Sequence, residues 1–145
     1  MELHTPANRG ERTRDALLTA AMDAFGRAGY DATSNRTIAD AAGVNQALIG
    51  YHFGGKRGLY LAVFEHICEQ MQLELLPRVG AVRTQLTFIG IEDPDRQERC
   101  VVAIETLLYA ILDTLSRPES KTWARLVMRE QQDPSEAFEL IYQGF

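Results

Sequence analysis

A chain of 145 residues, 46% hydrophobic and 24% charged, suits one domain or a small domain joined to part of a second, and it can bury a core. No apolar run approaches the roughly 18 residues of a membrane span, and "MELHTPANRGERTRDA" lacks the apolar heart of a signal peptide, so a cytoplasmic protein without membrane contact is expected. The net charge of −5 is unevenly spread: residues 1–57 hold seven basic groups against six acids and the remainder eight against fourteen, so a near-neutral head with a basic beginning, which permits DNA binding, precedes an acidic body.

Between Arg9 and Ala28, Leu17, Leu18, Ala21, Met22 and Phe25 recur at three- and four-residue steps, which predicts an amphipathic helix. Gly29 can turn left-handed past its last turn, and Tyr30 can fold back onto Phe25. In "TSNRTIADAAG", Ser34 is an N-cap and Gly43 a stop, giving a helix of about two turns. Val44 and Asn45 make a tight turn into "QALIGYHF", a second short helix that "GGK" breaks. A long helix begins near Lys56, with Leu59, Tyr60, Val63, Phe64, Ile67, Met71 and Leu75 along one face, until Pro77 limits or kinks it.

Residues 78–92 read as the end of that helix followed by a loop, since "TQLTFIGI" resembles a strand but has no partner strand. Asp93-Pro94 then supplies an N-cap with proline at the first helical position. The helix it opens contains "CVVAIETLLYAILDTL", apolar around most of its circumference, and so should be buried or shared with a partner. Pro118 opens a further helix with Trp123, Leu126, Val127 and Met128, and "DPSE" at 133–136 has the pattern of a capping box for the last, 137–145. That last helix meets no terminating signal, so the chain reads as a piece of a longer protein. The fold class is all-α.

Enzyme chemistry finds little support. Gly50 to Lys56, "GYHFGGK", satisfies the spacing of a phosphate-binding loop, but Arg57 replaces the hydroxyl residue that magnesium needs and no strand precedes it. No nucleophile, base and acid arrangement is present, and Glu105 stands alone in an apolar helix. Cys68 and Cys100 lie in apolar helical patterns and read as reduced, buried thiols. His66 and Cys68 are two apart, a spacing that faces different sides of a helix, so neither metal nor cofactor is expected.

The two short helices are more informative. Helices under about twelve residues are marginal in water, so these persist only when packed, with Ile38, Ala39, Ala42, Val44, Ile49 and Phe53 inward. Gln46, Ala47, Gly50 and Tyr51 are then left outward, the geometry of a helix-turn-helix over about 34–53 whose second helix enters the major groove. Gln46 suits an adenine edge and Ala47 a thymine methyl. Tyr51 and His52 can donate to phosphates, Lys56 stands at the start of the next helix, and Arg36 can reach a phosphate or a base edge. Gly50 weakens a helix, and either close approach of a sugar-phosphate strand or local strain would explain it.

"TSNRTIADAAGVNQALIGYHFGGKRGLY" resembles the DNA-binding segment of TetR-family transcriptional regulators, and "AFGRAGYDATS" extends the likeness to about residues 10–70. The resemblance implies a DNA-binding domain at 9–70, joined by a long fourth helix to a ligand-binding and dimerisation domain, present in part at 71–145. It also implies a homodimer on palindromic double-stranded operator DNA, acting as a repressor that a small-molecule effector releases by moving the fourth helix. By position, the DNA contacts it implies are Arg36, Asn45, Gln46, Ala47, Tyr51, His52 and Lys56. Most members carry tyrosine where this chain has Gly50. "ESKTWARLVMREQQDPSEAFELIY" is similar to the corresponding segment of CecR-like regulators. The effector is not legible: Trp123, Tyr109, Met128 and Phe88 suit either a pocket or a core. The rival reading is a helical adaptor that binds protein through residues 101–115, which would leave "NQALIGYH" without a task.

Overall fold

The computed structural model describes residues 6–90 and 92–144. Among them all regular structure is helical: α1 (Pro6–Ala28), α2 (Asn35–Ala42), α3 (Ala47–Phe53), α4 (Lys56–Thr87), α5 (Arg96–Ser116), α6 (Pro118–Gln132) and α7 (Glu136–Gly144). The all-α expectation holds. Two compact units divide the chain, one of residues up to Cys68 together with Thr122 onward, the other Glu69–Lys121.

The first unit packs around α1 and the beginning of α4. Leu17, Phe25, Ile38, Ile49, Phe64 and Leu126 are fully buried in it. Tyr60 lies at the centre of an aromatic group, 5.0 Å edge-on to Phe25, 4.9 Å from Tyr30 and 5.1 Å from Phe64 between ring centroids. As the sequence suggests, Tyr30 folds back to stack on Phe25 at 5.9 Å. A β-carbon on buried Gly26 would lie 2.9 Å from the Thr122 methyl, so the absence of a side chain there lets α6 approach α1. The buried hydroxyl of Thr33 donates to the Gly29 carbonyl at 2.7 Å, so it costs nothing in unmet hydrogen bonds.

The second unit relies more on charge. Arg78 donates to the Ala110 carbonyl at 3.1 Å and pairs with Asp113 at 3.1 Å, and Arg117 pairs with Glu74 and with Asp113. Hydrogen bonds from Arg78 and then Arg117 hold the Asp113 carboxyl below the usual carboxylate range. Ser120 donates to the Thr114 carbonyl at 2.5 Å, and Thr114 back-bonds to Ala110 at 3.0 Å.

Two of three boundaries differ from the sequence expectation. Pro77 does not limit α4, which continues to Thr87, so 78–87 is the end of that helix and the loop follows it, as the reading of 78–92 expected. Proline removes one N–H from the ladder, but Leu73 and Pro77 are both exposed, where water can serve the unpaired carbonyl. The Thr84 and Thr87 hydroxyls bond back to Gly80 and Arg83 carbonyls, as helical threonines do. Helix α5 starts two residues after Pro94, because Asp93 spends one oxygen on the Asp95 N–H at 2.9 Å and pairs the other with Arg99 at 2.8 Å. At α7 the cap is Ser135, whose hydroxyl accepts the Ala137 N–H at 3.1 Å, rather than Asp133.

Candidate nucleic-acid interface

Side-chain and glycine chemistry shape the α2–α3 pair at each end. Ser34 caps α2, its hydroxyl accepting the Thr37 N–H at 3.0 Å. Gly43 closes the helix at φ 67°, a conformation that favours glycine, and gives its N–H to the Ala39 and Asp40 carbonyls. The Asn45 side-chain oxygen then accepts the Ala47 N–H at 2.8 Å and starts α3. Gly54 at φ 73° and Gly55 at φ 127° turn the chain from α3 into α4. Gly58 is fixed by space: a β-carbon there would lie 1.8 Å from the Phe53 carbonyl oxygen.

The predicted faces are as expected. Ile38, Ala39 and Ile49 are buried and Ala42, Val44 and Phe53 partly so, whereas Gln46, Ala47, Gly50 and Tyr51 are exposed. Tyr51 is 81% exposed on a helix whose Ile49 is 0% exposed. That contrast defines an outward face on a seven-residue helix.

The candidate residues have different degrees of freedom. Arg36 is exposed and carries only a 3.7 Å pairing with Asp40, a contact of little energetic weight in water. Gln46 occupies the cap position of α3 and makes no side-chain cap bond. Asn45 is committed through its oxygen, so its first task is to start the helix. Tyr51 and His52 meet edge to face at 4.9 Å, with His52 partly buried. Lys56 holds its ammonium 4.3 Å from the centroid of the Tyr30 ring, a cation–π contact. A β-carbon on Gly50 would meet nothing within 4 Å, so no neighbour inside the molecule demands glycine there.

Several contacts around this face carry no sequence signal. The Arg14 guanidinium carbon lies 5.3 Å from the Phe53 ring centroid, linking α1 to the end of α3. Arg57, beside Lys56, forms a two-bond pair with Glu136. The pairing raises the Arg57 pKa and lowers that of Glu136, in each case chiefly through the hydrogen bonds between them. Tyr60 donates to Glu130 at 2.6 Å, and burial followed by that bond pushes its phenol well above the ordinary value. Tyr30, Arg57, Tyr60, Glu130, Ser135 and Glu136 are among the residues lining a cleft of about 650 Å³ in the first unit.

The rival features are placed as well. The segment matching a phosphate-loop spacing is the end of α3, two glycines and the start of α4, with no strand before it. No group of three or more metal-ligating side chains occurs among the described residues. Cys68 is buried, as expected, whereas Cys100 is only partly so, and no disulfide joins them. Among the described residues no helix is long and apolar enough to cross a membrane. Of the four candidate pocket residues, Phe88 and Tyr109 are exposed in the second unit; in the first, Met128 is exposed and Trp123 is partly buried, with its indole N–H 3.1 Å from the Met22 sulfur.

Residues 17–63 match the family described as bacterial regulatory proteins, tetR family, and 97–145 match the C-terminal domain of the HTH-type transcriptional dual regulator CecR. The chain is 31% identical over 139 residues to that dual regulator from Shigella flexneri, covering 93% of this chain and 58% of the relative. It is 32% identical over 90 residues to the HTH-type transcriptional repressor NicS of Pseudomonas putida, covering 57% of this chain and 42% of the relative. Both relatives are therefore spanned over less than two thirds of their length. In fold the chain is similar to a crystal structure from Mesorhizobium loti described as a TetR-family transcriptional regulator, with a TM-score of 0.66 and 22% identity over 94% of this chain and 61% of that one.

Proposed function

Because this chain belongs to the tetR family of bacterial regulatory proteins, we propose that it is a sequence-specific DNA-binding transcriptional regulator, a repressor that leaves a palindromic operator when a small molecule binds its C-terminal part. The observation that carries the reading is the face of α3, with Gln46, Ala47, Gly50 and Tyr51 turned to solvent over a buried Ile49. Gln46 and Ala47 meet base edges in the major groove. Arg36, Tyr51, His52 and Lys56 meet the phosphate backbone on either side, which fixes register. Asn45 starts the reading helix and leaves its amide N–H groups for a phosphate.

In this reading residues 9–70 bind DNA and 71–145 form part of the effector and dimerisation domain. A homodimer sets two copies of α3 in successive major grooves, about 34–36 Å apart. An effector that changes that separation weakens binding, and by linkage operator DNA weakens effector binding by the same factor. Repression is supported by the description of NicS as a repressor, and CecR is described as a dual regulator. The adaptor reading draws on the exposed apolar side of α5 but assigns nothing to the face of α3.

Selection of bound fragments from genomic DNA supplies the operator, and mobility-shift titrations then test the assignment. Gln46→Ala should relax preference at one base pair by about 1–3 kcal/mol while leaving binding to other sequences in place. Unchanged preference, or no fragment retained at all, would remove the reading.

A further inference from the structure

In the first unit, a continuous series of contacts runs from the α6–α7 junction to the ammonium assigned above to a DNA phosphate. Both the N–H and the hydroxyl of Ser135 reach one carboxylate oxygen of Glu130, each at 2.9 Å. The other oxygen accepts the Tyr60 phenol at 2.6 Å. Tyr60 meets the Tyr30 ring at 4.9 Å, and the Lys56 ammonium lies 4.3 Å from the centroid of that ring. Glu130 is 3% exposed and Tyr60 7%, so neither can touch DNA itself. A carboxylate buried to that degree is tolerated when donors meet both oxygens, as they do here.

Lysine carries its charge on a flexible four-carbon stem, and ordering that stem on binding consumes affinity. A cation already seated on an aromatic face has lost part of that freedom beforehand. The Tyr30 ring can serve as a seat only while it is itself held, and Tyr60, anchored by Glu130, is packed against it. We propose that Glu130, Tyr60 and Tyr30 are positioning residues for DNA binding: the hydrogen-bonded knot at the α6–α7 junction fixes the tyrosine pair, and the pair fixes the Lys56 ammonium where a backbone phosphate receives it. The inference rests on the phosphate role of Lys56 proposed above.

The test is the salt dependence of binding to a random-sequence duplex, read by fluorescence anisotropy for Tyr60→Phe and Glu130→Gln, each alone and combined with Lys56→Ala. One phosphate contact contributes about 0.9 to the slope of log affinity against log salt, or about 3.5-fold over a fourfold change in salt. Lys56→Ala should cut the salt-induced loss of affinity by that factor. Tyr60→Phe and Glu130→Gln should each cut it by part of the same factor, and by nothing further once Lys56 is alanine. Unchanged slopes in both variants, with Lys56→Ala still lowering it, overturn the positioning role and leave the phosphate contact standing. Equal reductions in both backgrounds mean general loosening and overturn it too. A full slope in Lys56→Ala removes the premise. Tyr60→Phe deletes one hydroxyl and keeps the ring, so it carries the test if Glu130→Gln fails to fold by circular dichroism.

Discussion

Phe64 on α4 and Leu108 on α5 are both apolar residues inside long helices, and they meet opposite surroundings. Phe64 is fully buried in the first unit, while Leu108 is 53% exposed in the second. In the first unit the large side chains Leu17, Phe25, Ile49 and Leu126 are inside, and Glu130 is a buried charged exception held by hydrogen bonds. In the second the buried side of α5 carries small residues, Ala103, Ala110 and Thr114, while Ile104, Leu108, Leu112 and Leu115 face water. The short α2 and α3 exist only by virtue of packing, so their sequence commits its large apolar residues to one core. The 21-residue α5 is long enough for its own ladder of hydrogen bonds to carry more of its stability, and Arg78 of α4 is tied to it through Asp113 and the Ala110 carbonyl.

Substituting the two residues breaks or sharpens that contrast. Phe64→Ala should cost about 3–5 kcal/mol in denaturant unfolding, the transfer loss of a buried aromatic plus the cavity it leaves. A loss below about 1 kcal/mol would mean that the first unit is not organised around this core. A smaller effect of opposite sign is expected at Gly50. Its β-carbon site is open and it is absent from the positive-φ glycines, which are Gly29, Gly43, Gly54 and Gly55. Gly50→Ala should therefore raise stability by about 0.5–1 kcal/mol through helix propensity alone. If a sugar-phosphate strand approaches this backbone, DNA affinity falls in the same variant, so the two measurements together separate a role in binding from local strain. Loss of stability would show that packing does require glycine there.

Local signals were readable because caps and faces depend on neighbours a few residues away. Ser34 and Gly43 mark the ends of α2, Tyr30 returns to Phe25, and the three- and four-residue spacing turns Ile38 and Ile49 inward and Gln46 and Tyr51 outward. Starts set by competing side-chain oxygens were less so: Asp93 and Ser135 both lie beside acceptable caps, and only geometry decides which N–H each oxygen takes. Pairings across the chain were not readable. Tyr60 and Glu130 are 70 positions apart and Arg57 and Glu136 are 79 apart, and periodicity tells which face a residue occupies but not what arrives there. Gly58 belongs to the same class. Nothing in "GGKRG" distinguishes it from a flexible glycine, yet the Phe53 carbonyl leaves no room for a side chain.

The smallest change is expected where the sequence alone would place a large one. Leu108 lies in an unbroken apolar run, and the spacing of Val101, Ile104, Leu108, Ile111 and Leu115 is the alternating three and four of a helix seam. By sequence, Leu108→Glu introduces a charge into a core and should unfold the protein. By structure, the side chain already touches water, so stability should move by no more than about 0.5 kcal/mol, as for other surface positions. The same substitution should lower the fluorescence of a dye that binds exposed apolar surface, because the seam is interrupted at its middle. A stability loss on the scale of Phe64→Ala would show that α5 is covered in solution and that the two units are built alike. Unchanged dye fluorescence with unchanged stability would place the exposed apolar surface elsewhere in Glu69–Lys121, with Leu73, Leu76 and Phe88 the next positions to substitute.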